Sequence, residues 1–271
     1  MNDTSALPSR FSADRYSVED WEQRLRFPRH AGSVPQDAEC CEIREQGQWR
    51  RLRFHDYAAL YERPGLYEYL FYDVLRCDSP RRVVNLLGEV RADLGVGEPL
   101  RVVDFGAGNG MVGRELRRIG ARRIVAVDIL NEARAAAQRD LPGVYDDYRV
   151  DDMSSPSAAT DESMRALRPN ALTCVAALGF GDIPPSAWHR AAAYVAPGGL
   201  LAFNIKDDFL DARYTHGFSE LMRRMVNGKV ARVEATRRYR HRLSAAGEPI
   251  YYTAMVVTKL TEIPAAMLVE H

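Results

Sequence analysis

The chain has 271 residues, 46% of them hydrophobic and 27% charged, which is ordinary for a globular protein. Its 37 basic and 37 acidic side chains leave a formal net charge of zero, so no overall field attracts nucleic acid or an anionic membrane. Four cysteines without CxxC spacing exclude a recognisable zinc-site pattern, and no apolar run reaches about 18 residues. We therefore expect a reduced, cytoplasmic protein that spans no membrane and holds no metal.

The N-terminal third, residues 1–98, is predicted to be an extension followed by a helical cap. Ser17 is a candidate cap for a short helix that starts beside it. Alternating apolar residues from 40 to 54 predict a hairpin around a central glycine. Residues 55–95 then follow the pattern of helices, with a break at Pro64-Gly65.

Tyrosines crowd into the first half of this helical segment. They are Tyr57, Tyr61, Tyr67, Tyr69 and Tyr72. Aromatic side chains at helical spacing usually belong to a core. Alternatively, a helical segment ahead of the first core strand could close over a ligand as a lid, and Tyr57 and Tyr61 are our candidates for that contact.

The stretch from Arg101 to Glu115 organises the rest of the chain. An apolar run leads into Asp104. Three glycines, Gly106, Gly108 and Gly110, then alternate with other residues, the first of which is Ala107. This pattern predicts a strand, a tight turn and a helix start. Glycines remove the Cβ atoms that keep a ligand from the backbone and allow positive φ angles. The first N–H groups of the helix are then expected to face whatever lies over the turn.

A second apolar run, about twenty residues later, ends in Asp128. A carboxylate at the tip of the neighbouring strand is well placed to accept both hydroxyls of a ribose. The bland alternative is that Asp128 caps the helix that follows it.

Two cofactors could use this arrangement. Residues 108–113 match the G-x-G-x-x-G dinucleotide fingerprint, which alone indicates a nicotinamide or flavin enzyme. Asp104 argues against that, because a carboxylate two residues before the first glycine repels a pyrophosphate and attracts the cationic sulfonium of S-adenosylmethionine. Gly113 is expected to serve close packing of the helix rather than ligand contact.

These residues resemble the class I S-adenosylmethionine-dependent methyltransferases over roughly residues 100–260. VVDFGAGNG matches the first motif of that family, and VAVDIL matches the second, with Asp128 as the ribose-binding acid. Among small-molecule members the chain is most similar to the methyltransferase-like proteins of the Williams–Beuren-region type and their bacterial relatives.

The catalytic domain, residues 99–271, is predicted to be α/β, because strands and helices alternate. Strands are expected at 101–105, 123–128, 146–150, 171–178 and 199–205, and helices at 111–120, 131–140, 185–196 and 214–227. Two long β-patterned runs follow, joined at Ala246-Gly247-Glu248. With the resemblance, this predicts a doubly wound, mostly parallel seven-stranded sheet with helices on both faces, a terminal antiparallel hairpin and an N-terminal helical cap.

The resemblance also implies the remaining contacts to the cofactor. Asp152 would accept from the adenine amino group, with Met153 and Ile129 beside the ring. Ala177 and Leu178, at the end of the fourth core strand, would border the methionine part.

Methyl transfer needs mainly proximity and alignment, because the sulfonium is already activated. A general base is required only if the nucleophile arrives protonated. His216 is the candidate base, by its intrinsic pKa near neutrality, and Asp208 lies in the same segment after the fifth core strand.

The primary hypothesis is thus a methyltransferase that acts on a small molecule, as a monomer or a homodimer. A nicotinamide-dependent oxidoreductase, a methyltransferase of RNA or protein and a non-catalytic binding module are the alternatives. Arg238, Arg240 and Arg242 alternate onto one face of a strand, which is normally a solvated edge, so we do not expect nucleic acid as a partner.

Overall fold

The computed structural model describes residues 21–28, 34–178, 183–207 and 217–268. The predicted helix cap at Ser17 lies outside these ranges. No helix in the described ranges is both long and apolar enough to cross a membrane.

A seven-stranded sheet forms the centre of the molecule. Its strands are β4 (Arg101–Phe105), β5 (Arg123–Asp128), β6 (Asp147–Val150), β7 (Ala171–Cys174), β8 (Leu200–Lys206), β9 (Ala231–Leu243) and β10 (Pro249–Lys259). Their order across the sheet is β6-β5-β4-β7-β8-β10-β9. The first five are parallel, and β10 lies antiparallel between β8 and β9. This arrangement confirms the predicted mostly parallel seven-stranded sheet and its terminal antiparallel hairpin.

Helices cover both faces of the sheet because successive side chains of a strand point to opposite sides. In β4, Val102 packs with α4 (Ser79–Asp93) and α5 (Met111–Arg118). Its neighbour Val103 packs on the other face with α7 (Ala158–Leu167), α8 (Pro185–Ala193) and α9 (Gly217–Asn227). A further helix, α6 (Asn131–Asp140), packs against the N-terminal cap.

The N-terminal cap combines a small sheet with short helices. Its elements are α1 (Trp21–Arg24), β1 (Leu25–Arg26), β2 (Cys40–Glu45), β3 (Gln48–Arg53), α2 (Tyr57–Tyr61), α3 (Leu66–Glu68) and a π-helical turn (Tyr69–Val74). The pairing of β2 with β3 confirms the predicted hairpin, and β1 adds a third antiparallel strand. Trp21, Ile43, Phe54 and Leu60 form the core of the cap.

The residues after the cap helices bear on the domain boundary. Helix α4 lies within residues 1–98, yet it packs on the large sheet, where its Val83 and Leu87 meet Ala254 and Val256 of β10. The boundary at residue 98 stays a prediction.

Two local expectations are wrong. The strand predicted at 171–178 ends at Cys174, because Ala176 has a φ of 56° and its N–H is held by the side chain of Asn204. Arg242 is not solvated: a register irregularity in the pairing of β9 with β10 turns it inward, where it is 2% exposed and pairs with Glu39.

Candidate functional site

A cavity of about 570 Å³ opens at the carboxyl ends of the parallel strands, beneath the N-terminal cap. The loops after β4, β5, β6 and β7 form one wall, and tyrosines of the cap form another. This edge of a doubly wound sheet is where such folds bind ligands. The volume is in the range of small-molecule sites.

The glycine loop after β4 adopts the backbone that the sequence predicts. Gly106, Gly108 and Gly110 have φ angles of 69°, 54° and 98°. A Cβ atom on Gly108 would lie 2.5 Å from the Tyr61 hydroxyl oxygen, and one on Gly106 would lie 2.9 Å from the Cβ of Ala177. Gly106 and Gly108, with Ala107, line the cavity, so a side chain at either glycine would narrow it.

The last two glycines of the motif serve packing. A Cβ on Gly110 would meet Val144 and Leu141, and one on Gly113 would lie 2.5 Å from the ring of Tyr145. Neither glycine lines the cavity. The prediction of packing for Gly113 agrees with this contact, whereas a cofactor contact of Gly110 stays a prediction.

The loop amides are already engaged by the protein. Val127 O accepts from the N–H of Gly106 and of Ala107, over 2.9 and 3.2 Å, and Asp128 accepts from the N–H of Gly108. The N–H of Gly110 donates to Ala107 O over 3.2 Å. These four N–H groups therefore do not form a cradle for a phosphate, in contrast to a dinucleotide loop.

Asp104 lies behind the cavity wall rather than in it. It is 1% exposed, and its two carboxyl oxygens accept hydrogen bonds from the hydroxyls of Tyr145 and Thr173, each over 2.7 Å. Burial raises the pKa of Asp104 to about 7, although the two hydroxyl donors oppose the shift. The carboxyl can act on a bound ligand only through its field, without direct contact.

Asp128 does line the cavity, at the tip of β5. Its Oδ2 accepts from Gly108 N over 2.9 Å and its Oδ1 from Leu130 N over 3.0 Å. Burial raises its pKa, while these backbone donors lower it. Each oxygen keeps lone pairs for a further donor. The helix-capping alternative and the ligand role are therefore compatible.

The side chains predicted to surround an adenine and a methionine part lie along the same cavity. Asp152, Met153, Ile129, Ala177 and Leu178 all line it. Met153 and Leu178 are buried, whereas Ile129 is 66% exposed at the mouth. The Asp152 carboxylate accepts from the N–H and hydroxyl of Ser154, and these donors lower its pKa.

The cap lines the cavity with a row of aromatic rings. Tyr57 and Tyr61 are stacked, and the centroids of Tyr61 and Tyr67 lie 4.8 Å apart. All three tyrosines, with Tyr72, line the cavity. From the opposite side, the Tyr148 hydroxyl donates to Gly108 O over 2.7 Å. Tyr57 and Tyr61 thus lie at the cavity, and both their lid role and their contact with a ligand stay predictions.

The predicted catalytic residues His216 and Asp208 lie outside the described residues. Among the described residues, no group of three or more His, Cys, Asp and Glu side chains is arranged to hold a metal ion.

Sequence reasoning missed a buried polar network beside the cavity. It joins Ser79, Asn204, Tyr239 and His241, of which His241 lines the cavity together with Gln36 and Tyr252. The alternation in β9 that exposes Arg238 and Arg240 also turns Tyr239 and His241 inward. This alternation is the sequence signal that indicates their burial. Partners from α4 and β8 could not be found from spacing alone.

The described lining of the cavity is acidic and aromatic. It holds four aspartates and a single arginine, Arg242, whose guanidinium is paired with Glu39 over 2.5 Å. An unpaired cation that would attract a pyrophosphate is therefore absent from the described lining.

Solved structures with a similar fold include three methyltransferases. An S-adenosylmethionine-dependent methyltransferase from Clostridium acetobutylicum has a TM-score of 0.49 and 10% identity, covering 72% of this chain and 96% of its own. The magnesium protoporphyrin IX methyltransferase of Synechocystis, with bound S-adenosylmethionine, has a TM-score of 0.46 and 16% identity, and the match covers 66% of this chain and 79% of that one. The N-methyltransferase NodS of Bradyrhizobium japonicum, in complex with S-adenosylhomocysteine, has a TM-score of 0.46 and 15% identity, and the match covers 66% of this chain and 86% of that one.

Comparison with curated proteins finds no match. A family model described as a methyltransferase domain matches residues 73–246, well over half of the chain. The chain belongs to this methyltransferase-domain family.

Proposed function

We propose that the protein transfers a methyl group from S-adenosylmethionine to a small-molecule acceptor. One observation carries this proposal: a single cavity is lined by the glycine loop, by Asp128 and by the aromatic rings of the cap. Family membership supports the reaction, and the cavity supports the size of the acceptor.

S-adenosylmethionine is the cofactor, and the residues of the cavity fit it. Asp128 has lone pairs left for the two ribose hydroxyls. Asp152 would accept from the adenine amino group, with Ile129 and Met153 beside the ring. Ala177 and Leu178 would border the methionine part. Tyr57 and Tyr61 would cover the bound cofactor.

The buried carboxyl of Asp104 suits a cationic donor. When bound, the cofactor supplies a methyl group that a positively charged sulfur has already activated. An ionised Asp104 close behind the wall attracts that charge, and the low local dielectric strengthens the attraction. The remaining task of the chain is to align donor and acceptor and to exclude water, effects that together supply several kcal/mol or more. His216 and Asp208 are our proposed groups for removing an acceptor proton.

The same features weigh against a nicotinamide enzyme. The N–H groups of Gly106, Ala107 and Gly108 already have protein acceptors, so they do not bind a pyrophosphate. Aspartates in the wall would repel one.

The charges of β9 weigh against a nucleic-acid substrate. Arg237 pairs with Glu89 over 2.7 Å, and Arg238 pairs with Asp207 over 2.5 Å. Arg242 is buried in its pair with Glu39. Arg232 also pairs, with Glu234 over 2.8 Å, so carboxylates neutralise four of the five arginines on this strand. These pairs support a small-molecule acceptor. The proposal places the reaction in the cytoplasm and the protein as a monomer or a homodimer.

Calorimetric titration with S-adenosylhomocysteine, with NADH as the control, tests the proposal. We expect micromolar binding of the first ligand and no heat from the second. Binding of NADH alone would replace the proposal with an oxidoreductase. Release of S-adenosylhomocysteine during incubation with S-adenosylmethionine and aromatic acceptors then separates an enzyme from a binding module.

A further inference from the structure

The cavity has a third wall on the side of β9 and β10, away from the acidic loops after β5 and β6. We call it the histidine wall, and it consists of Gln36, Cys77, His241 and Tyr252. The imidazole of His241 stacks on the ring of Tyr252, with centroids 4.1 Å apart and planes at 27°. Gln36 Nε2 donates to the Tyr252 hydroxyl over 3.0 Å. The His241 imidazole is thus a polar group in a part of the cavity that aromatic rings otherwise line.

The chain of hydrogen bonds that orients the His241 imidazole begins at a backbone amide. Ala176 N donates to Asn204 Oδ1 over 2.6 Å, which fixes the side-chain amide with its NH₂ group toward Tyr239 and Ser79. Asn204 Nδ2 then donates to the Tyr239 hydroxyl oxygen over 2.7 Å and to Ser79 Oγ over 3.2 Å. Because Asn204 offers only donors here, neither hydroxyl can give its proton to it.

The two hydroxyl protons are therefore assigned in turn. The Tyr239 hydroxyl has Ser79 Oγ, at 2.6 Å, as its acceptor. The Ser79 proton then goes to His241 Nδ1, also at 2.6 Å. Nδ1 is an acceptor in this chain, so the proton of a neutral imidazole lies on Nε2. Burial, aided by Arg242, lowers the pKa of His241 well below its ordinary value, so the ring stays neutral.

The Nε2–H of His241 has no hydrogen-bond partner among the described residues, although the ring lines the cavity. It is a donor without a lone pair to offer, so it cannot accept a proton from a substrate unless the whole chain reverses. Reversal fails at Asn204, whose NH₂ group cannot accept the Tyr239 proton. His241 is thus built to hold a ligand, and another group must serve as base.

We infer, resting on the proposed function, that the histidine wall is the acceptor subsite and that His241 determines its specificity. The acceptor is a flat aromatic molecule without negative charge that presents an oxygen or nitrogen lone pair to Nε2–H. The rings of Phe54, Phe71, Tyr72 and Tyr252 line the surrounding space and suit a planar ligand. An anionic acceptor finds no unpaired arginine or lysine in the described lining, since Arg242 is bound to Glu39.

The tautomer can be measured directly. In full-length protein labelled with ¹⁵N-histidine, two-bond proton–nitrogen spectra distinguish the two neutral forms. Six histidines contribute, and the signal lost in His241→Phe assigns the one in question. If that variant does not fold, the signal shifted in Ser79→Ala assigns it instead. We expect a protonated Nε2 and a bare Nδ1 that do not titrate near neutral pH, and the opposite tautomer would overturn the inference.

Ligand specificity is tested with two probes of equal shape, quinoline and naphthalene, in the presence of S-adenosylhomocysteine. Only quinoline carries a ring lone pair. We expect wild-type protein to bind quinoline roughly three- to tenfold more tightly, as one hydrogen bond provides, and His241→Phe to bind both equally. Equal binding in the wild type, or no binding of either probe, would overturn the inference. Failure of S-adenosylhomocysteine to bind would instead contradict the proposed function itself.

Discussion

The amide N of Gly108 lies 2.9 Å from Oδ2 of Asp128, and this hydrogen bond joins the glycine loop to the tip of β5. Leu130 N donates to the other carboxylate oxygen. Asp128 therefore both shapes the loop and faces the cavity. Its removal should affect ligand binding more than an ordinary surface carboxylate does.

Replacing Asp128 with Asn tests this directly. The amide keeps the size of the carboxylate but loses its charge and gives the two backbone donors only one oxygen. Because hydrogen bonds to charged groups contribute about 1.5–3 kcal/mol, we expect affinity for S-adenosylhomocysteine to fall about tenfold to a hundredfold. Titration calorimetry measures the change.

Asp147→Asn is the matched control. Asp147 begins the next strand, binds Arg149 and Ser163, and does not line the cavity. Its replacement should leave ligand affinity unchanged. An Asp128 variant that is folded and binds as tightly as this control would remove the assigned role.

The parts of the site that the sequence predicts are the local ones. Asp104, the glycine loop and Asp128 follow from spacing along 28 residues or fewer, because a strand, a tight turn and a helix start have local rules. The structure also brings Asp152, Met153, Ala177 and Leu178 to the predicted cavity, since parallel strands end at one edge.

What the sequence does not predict depends on contacts between distant segments. The spacing does not predict that Tyr145 and Thr173 donate hydrogen bonds to Asp104. Nor does it predict the hydrogen bond between Ser79 and His241, which lie 162 positions apart. The prediction that Arg242 lies on a solvated edge is wrong because an irregularity in strand pairing reverses which side chains face inward. The similarity to the Williams–Beuren-region type stays a prediction.

Asp104 should make stability depend on pH. Its pKa rises from an ordinary 3.8 to about 7 in the folded protein, so the folded state binds the proton more tightly than the unfolded state. The contribution of this group to stability is complete below about pH 4 and is lost as pH rises through about 7.

Asp104→Asn removes this titration, since the amide stays neutral. Relative to the wild type, the variant should gain thermal stability as pH rises from about 5 to 8, by a few kcal/mol at most. Melting temperatures of both proteins across this range provide the measurement. A constant difference between the two curves would contradict the raised pKa.

The same carboxyl should make the preference for a charged donor depend on pH. S-adenosylmethionine carries a positive sulfur, whereas S-adenosylhomocysteine does not. As Asp104 ionises near pH 7, the affinity ratio of the first ligand to the second should rise. Calorimetry with both ligands at about pH 6 and pH 8 tests this, and the rise should disappear in Asp104→Asn. A ratio that does not change in the wild type would count against the role of Asp104.

Two glycines within helices should respond oppositely to alanine. A Cβ on Gly113 would lie 2.5 Å from the ring of Tyr145, whose hydroxyl donates to Asp104. Gly113→Ala should therefore destabilise the fold by about 1–3 kcal/mol. For Gly88 in α4 the nearest atom is an ordinary 3.7 Å away, on Ile119. Gly88→Ala should be neutral or stabilise by up to about 1 kcal/mol through helix propensity. Urea unfolding compares the two variants, and equal effects would contradict the packing argument.

Glu39 should hold the N-terminal cap on the large sheet. Its Oε2 lies 2.5 Å from a guanidinium nitrogen of Arg242, both side chains are almost fully buried, and its Oε1 accepts from Ala245 N. Glu39→Gln leaves the Arg242 charge buried without its counter-ion, which costs about 3–5 kcal/mol. Glu42→Gln is the control, because Glu42 pairs with Arg26 at the surface, where ion pairs contribute little. We expect only the Glu39 variant to lose stability and to become sensitive to proteolysis within the cap. Similar behaviour of the two variants would mean that the buried pair does not anchor the cap.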